Sequence, residues 1–200
     1  MSLNEYIAKQ FANPRGIGGR LVMNVMSHQN AAMYEATEAL LQVHDNETVL
    51  DIGCGNGIMM ERLASACDCH LIGTDISKDA LSIAKQRLKR ANAELLCCPV
   101  DDMPLKTASI DKALTINTVY FWNDLLAGLT EIARVLKPGG IFVGTHYTNR
   151  SLESFSHTQF GYRMHAEEEV VTAANNAGFA VQTRPIMGGR AYCVAGRRQA

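Results

Sequence analysis

The chain of 200 residues contains no apolar run near the roughly 20 residues that a helix needs to cross a bilayer. Its first ten residues carry charge and lack the apolar core of a secretory leader. The expectation is therefore a cytoplasmic protein with no membrane partner. Charge of one sign is also missing: 19 Lys and Arg stand against 20 Asp and Glu, for a net charge of -1. A dedicated nucleic-acid binder usually shows a basic face, so no nucleic acid is expected as partner. The basic run Lys85, Arg87, Lys89 and Arg90 shares one predicted helix with the inward-facing Leu81, Ala84 and Leu88, and reads as a solvated face. Six cysteines occur (Cys54, Cys67, Cys69, Cys97, Cys98, Cys193), but none is spaced as C-x-x-C. That pattern fits neither a secreted disulfide framework nor a zinc site, so reduced thiols and no metal are expected. Repeats, low-complexity tracts and linkers are absent too. What remains is one domain, 1–200, of ordinary globular composition: 47% hydrophobic and 20% charged.

Along the chain, helical spacing marks Leu3 to Phe11, Gly19 to Met26 and Asn30 to Leu41, with Asn13-Pro14-Arg15-Gly16 as a break. These segments, 1–45, are expected to form a lid over a core at 46–200. The core opens on Thr48 to Ile52, a short apolar run typical of a buried strand. A helix over Ile58 to Cys67, a strand over His70 to Thr74 and a helix over Lys78 to Asn92 follow. Strands are then predicted at Leu95 to Val100 and Ile110 to Ile116. A helix starting at Asn123 or Asp124 runs to Leu136 and is stopped by Lys137-Pro138-Gly139-Gly140. Ile141 to Tyr147 is the fifth strand. Thr148 to His165 shows no period. A helix over Ala166 to Ala177 precedes strands at Phe179 to Arg184 and Arg190 to Ala195. Alternating strands and helices imply a doubly wound, mostly parallel α/β sheet. The last two strands lie too close for a helical crossover and should pair antiparallel.

Chemistry concentrates in Val49-Leu50-Asp51-Ile52-Gly53-Cys54-Gly55-Asn56-Gly57. A strand that feeds a glycine turn and then a helix makes a ligand cradle, because glycine accepts positive φ and lets the backbone come close. The dinucleotide fingerprint G-x-G-x-x-G requires a third glycine where Ile58 stands. The acid Asp51, two residues before Gly53, would repel a pyrophosphate but suits an ammonium. Asp75 closes the second strand, 18 residues beyond Gly57, where a carboxylate can accept both hydroxyls of a ribose. Its structural alternative is a helix N-terminal acid beside the cap Ser77.

The chain resembles the class I S-adenosylmethionine-dependent methyltransferases, in their small single-domain branch. The likeness spans Asn46 to Arg197. It rests on the glycine loop, Gly73-Thr74-Asp75-Ile76-Ser77, Asp102-Met103-Pro104-Leu105, the strand Asp111 to Asn117, and Val135-Leu136-Lys137-Pro138-Gly139-Gly140. It implies a Rossmann-like sheet of seven strands with an antiparallel last strand, and S-adenosyl-L-methionine as cofactor. By the same resemblance, Asp51, Gly53, Cys54 and Gly55 hold the methionine end. Asp75 binds the ribose, Ile76 packs on the adenine, and Asn117 and Thr118 lie beside the methionine moiety. Many relatives carry an adenine-binding acid just after the third strand. That place is Pro99 here, so Asp101 or the backbone at Val100 is expected to serve instead.

Methyl transfer from a sulfonium requires in-line placement first, and a base only when the acceptor must lose a proton. Catalytic residues therefore cannot be read from the family. Tyr120 and His146 are weak candidates, with His157, His165 and Tyr147 behind them, while His28 reads as a surface or lid residue. Base-modifying relatives often carry an Asn/Asp-Pro-Pro-Tyr/Phe stretch after the fourth strand. Asn117-Thr118-Val119-Tyr120 lacks the prolines, which argues against an adenine or cytosine amino group. A strand placement for Cys97 and Cys98 argues against arsenite as acceptor. The expected function is methyl transfer to a small-molecule acceptor. The alternatives are a non-catalytic, cofactor-binding or regulatory module on the same fold and, further off, a nucleotide-dependent oxidoreductase. The sequence leaves the acceptor and the oligomeric state open.

Overall fold

The computed structural model describes residues 2–16, 18–19 and 30–200. The described helices are α1 (Leu3–Ala12), α2 (Ala31–Leu41), α3 (Ile58–Ala66), α4 (Lys78–Arg87), α5 (Leu125–Val135), α6 (Asn149–Glu153) and α7 (Glu167–Asn176). The strands are β1 (Thr48–Ile52), β2 (His70–Thr74), β3 (Ala93–Leu96), β4 (Ile110–Ile116), β5 (Leu136–Tyr147), β6 (Phe179–Ile186) and β7 (Ala191–Arg198). The helix predicted over Gly19 to Met26 lies outside the described residues beyond Gly19, and His28 lies outside them altogether.

The strands form one sheet in the order β3-β2-β1-β4-β5-β7-β6. β1 through β5 pair in parallel, and β7 runs antiparallel between β5 and β6. The chain winds outward from β1 to β3 and then restarts at β4 on the other side of β1. That reversal opens a crevice at the carboxyl ends of β1 and β4, where doubly wound sheets bind ligands.

Alternate residues along each central strand face opposite layers. Leu50, Ile72, Ala113 and Phe142 pack in one core with Leu129 and Ile132 of α5 and Ala174 of α7. Val49, Leu71, Leu114 and Val143 pack in the other with Leu41, Met60, Leu63 and Ala84 from α2, α3 and α4. Burial on both faces explains why these strands read as continuous apolar runs.

The predicted boundaries of β3, β5 and α4 move furthest. β3 occupies Ala93–Leu96 rather than Leu95 to Val100. It is an edge strand whose one neighbour, β2, ends at Thr74 opposite Leu96, so Cys97 to Val100 leave the sheet. β5 begins at Leu136, inside the predicted helix stop. Leu136 pairs with Ile110, the next pair is Lys112 with Ile141, and Lys137 to Gly140 bulge out between them with Gly139 at φ +80°. α4 ends at Arg87, where Ala84 and Leu88 pack beneath Gly57.

The Asp102-to-Leu105 segment is pinned by a charged pair on α5. Glu131 Oε1 accepts from Met103 N at 3.0 Å. Arg134 is bonded to Glu131 and donates to Met103 O and Leu105 O at 3.1 and 2.9 Å. These bonds hold the chain that follows β3 at the rim of the crevice.

Candidate functional site

The glycine loop leaves β1 with Gly53, Gly55 and Gly57 all in the left-handed region, at φ 71°, 55° and 76°. Gly53 N and Cys54 N both donate to Thr74 O, at 2.7 and 2.9 Å, which ties the loop to the end of β2. A Cβ on Gly53 would collide with Cγ2 of Thr118, so the loop and the segment after β4 approach closely only because residue 53 is glycine. Thr118 is in turn bonded through its hydroxyl to Thr115, whose Oγ1 donates to Ile52 O at 2.8 Å.

Asp75 sits at the end of β2. Its Oδ2 accepts from Gly55 N at 2.9 Å and its Oδ1 from Ser77 N at 2.8 Å. Burial raises the carboxyl above its usual range, and these N–H groups oppose that rise. Each oxygen keeps a lone pair for a further donor. Asp51, on β1, is 4% exposed, and its Oδ2 has no hydrogen-bond partner among the described residues. Burial, reinforced by the negative Asp75, pushes Asp51 up to about 8.

Two cavities flank this loop. The larger, about 270 Å³, is bordered by Gly53, Gly55, Asp75 and Ile76, and by Val100, Asp101, Asn117 and Thr118. The smaller, about 80 Å³, is bordered by Asp51, Gly53, Cys54 and Gly55. Every cofactor residue proposed from the sequence thus borders one lobe or the other. Pro99 borders the larger lobe, as does Cys98. Among the described residues no group of three or more His, Cys, Asp or Glu is arranged to hold a metal ion.

Sequence reasoning missed the residues that arrive from the N-terminal segments. Asn30 and Tyr34, at the start of α2, border the smaller lobe, and Phe11, Ala12 and Pro14 border the larger. Pro14 was legible only as a helix break. Asn117 adopts φ +58° and donates through Nδ2 to Asn30 Oδ1 at 3.1 Å. That bond joins the end of β4 to the start of α2.

Tyr120 and His146 border neither lobe. Tyr120 is 2% exposed; its hydroxyl accepts from Tyr147 N at 2.6 Å and lies within reach of Asn117 Oδ1 and Tyr147 O. It braces the turn after β4 against β5. His146 is buried between the rings of Tyr120 and Tyr192, and neither ring nitrogen has a partner. Desolvation holds its imidazole down at about 3, so it is neutral. His165 Nδ1 stands 3.8 Å from Glu169 Oε2 on α7.

α1 and the turn after it cross the larger lobe and are fastened on both rims. The Phe11 ring stacks on His157 with centroids 4.6 Å apart. On the other side Ser77 Oγ donates to Pro14 O at 2.6 Å, and Gly16 N donates to Asp79 Oδ2 at 2.8 Å. Arg15 is exposed within this strap. A ligand held beneath it is expected to protect the Arg15–Gly16 bond from trypsin, and His157→Ala to reduce that protection several-fold. Digestion followed by intact-mass analysis, with and without ligand, checks this. Equal cleavage in all four samples would remove the strap from ligand retention.

Residues 50–144 match the family model described as a methyltransferase domain. The chain is 32% identical over 117 residues to the uncharacterized methyltransferase YdaC of Bacillus subtilis strain 168, covering 58% of this chain and 65% of that protein. It spans less than two thirds of the length of the curated relatives it matches. Among solved structures, a chain from the complex of the Haloferax volcanii Trm112 methyltransferase activator superposes with a TM-score of 0.85 at 20% identity, covering 100% of both chains. Geranyl diphosphate C-methyltransferase from Streptomyces coelicolor A3(2), solved with S-adenosyl-L-homocysteine, superposes with a TM-score of 0.74 at 17% identity, over 84% of this chain and 77% of that one. These structural likenesses establish the fold.

Proposed function

Because this chain belongs to the class I S-adenosylmethionine-dependent methyltransferases, we propose that it transfers the methyl group of S-adenosyl-L-methionine to a small-molecule acceptor by in-line displacement. The observation that carries this reading is the divided cleft, with an unpartnered carboxylate oxygen in one lobe and a loop-anchored carboxylate in the other.

The residues present fit the cofactor. Oδ2 of Asp51 is a buried acceptor that an ammonium would satisfy. The cradle at Gly53 and Gly55 admits a methionine backbone where any Cβ would intrude or be strained. Asp75 retains lone pairs for two ribose hydroxyls, and Ile76, 49% exposed, offers an apolar face to a base. Val100 and Asp101 border the same lobe beside Pro99, and so stand where they can replace the missing acid. When bound, the cofactor supplies an electrophilic methyl on a sulfonium. The protein's own part is to fix the reacting groups in line and to exclude water. Asn117 and Thr118, on the wall of the larger lobe next to Ile116, which borders both lobes, set that position. Residues 1–45 act as the lid and 46–200 as the cofactor-binding core.

A small acceptor is supported by the strap, which roofs the cleft with Phe11 and Pro14, and by the balanced net charge of -1. The test is a panel of thiols, carboxylic acids, phenols and amines, scored by release of S-adenosylhomocysteine. Turnover with one class and not the rest supports the reading. Firm cofactor binding with no turnover on any class would select the non-catalytic module instead.

A further inference from the structure

We infer that Asp51 is a neutral acid while its lobe is empty and releases its proton to solvent when an ammonium is placed beside it. This rests on the S-adenosylmethionine reading of the cleft. A carboxylate excluded from water costs far more than a carboxylic acid unless a cation or N–H donors face it. Asp51 is 4% exposed, its Oδ2 has no partner among the described residues, and no hydrogen bond or cation offsets its burial there.

The groups around the lobe reinforce this. Asp75, from β2, is negative and raises the cost of a second charge. Cys54, on the loop, has its thiol pushed well up by burial and by the two aspartates, so it stays neutral. α2 contributes Asn30 and the phenol Tyr34, α3 contributes Met59, and β4 contributes Ile116. Arg62 stands 6.0 Å from the centroid of the Tyr34 ring and is held by Glu38 in a bidentate pair. No Lys, Arg or His borders the lobe among the described residues. Asp51 is accordingly pushed up to about 8.

The proton balance follows. Below about pH 8 the free partners are the Asp51 carboxylic acid and a ligand ammonium. The ammonium of a free amino acid sits beside a carboxylate instead of an amide, and so holds its proton more tightly than a chain terminus, which titrates near about 7.7–8.0. Pairing leaves a carboxylate and an ammonium, and one proton goes to solvent. Once Asp51 is ionised before binding, pairing exchanges no proton. Affinity therefore rises by up to about tenfold per pH unit on the acid side and levels off above about 8.

The experiment is titration calorimetry of the whole chain with S-adenosylhomocysteine at about pH 6.5, in phosphate and in imidazole, whose ionisation heats differ. The titration is repeated up to about pH 9. The expected result is close to one proton released per ligand on the acid side, falling towards none once Asp51 is ionised before binding. 5′-Methylthioadenosine shares the nucleoside and lacks the ammonium, so it should bind with no buffer-dependent heat. Asp51→Asn should abolish the proton release and flatten the pH dependence. S-adenosylhomocysteine that binds without exchanging a proton overturns this inference and leaves the cofactor reading intact. Failure of both ligands to bind overturns the cofactor reading, and this inference with it.

Discussion

Asp75→Ala is expected to weaken S-adenosylhomocysteine binding by about 100-fold or more. Hydrogen bonds to a charged group contribute about 1.5–3 kcal/mol each, and two ribose hydroxyls are lost together. The loop suffers as well, because Gly55 N and Ser77 N lose their acceptor. Calorimetry with S-adenosylhomocysteine and with 5′-methylthioadenosine separates the causes. Both ligands carry the ribose, so both should weaken alike, whereas Asp51→Asn should weaken only the ligand with the ammonium. Binding by Asp75→Ala within about threefold of the parent would falsify the ribose assignment. Among the described residues Asp75 has no lysine or arginine partner, and its burial is unfavourable to its charge. The variant should therefore remain folded, with its melting temperature lowered by no more than a few degrees.

Gly53→Ala is expected to damage both binding and stability. Left-handed backbone costs an alanine roughly 1–2 kcal/mol, and displacing Thr118 costs about 1–3 more. The sum corresponds to a fall in melting temperature on the order of 5–10 °C for a domain of this size. Gly55→Ala is the internal control. It carries a similar φ, but its Cβ would meet nothing within 4 Å, so only the conformational cost applies. Thermal unfolding of the two variants side by side isolates the contact between loop and Thr118. Equal destabilisation would show that this approach contributes nothing. In the binding assay Gly53→Ala should lose about 100-fold, because Gly53 and Thr118 both border the larger lobe and the clash between them disturbs its wall.

The central strands were readable to the residue. Thr48–Ile52, His70–Thr74 and Ile110–Ile116 stand where the apolar runs placed them, because both faces of each are covered and the pattern is uninterrupted. Asp124 caps α5 through a bond from Ala127 N, as its side chain suggested. The edges were less legible. β3 is only half-buried, so its residues carry little pattern, and it ends where its one neighbour, β2, ends at Thr74, a limit set by another strand. The early start of β5 depends on Ile110, which no local signal announces.

The cleft divides in the same way. Its floor lies on strand ends and turns, whose glycines and acids announce themselves. Its roof is made of Phe11, Pro14, Asn30 and Tyr34, ordinary helix and turn residues brought there by packing alone. Tyr120 and His146 drew notice because they follow β4 and end β5, yet period-two alternation turns His146 into the interior. The Tyr120 hydroxyl is taken up by backbone groups of Tyr147.

The most direct measurement is calorimetric titration of the unmodified protein with S-adenosylhomocysteine, with NAD as the control ligand. The account predicts micromolar binding of S-adenosylhomocysteine and none of NAD. No binding of S-adenosylhomocysteine, or comparable binding of NAD, would contradict it.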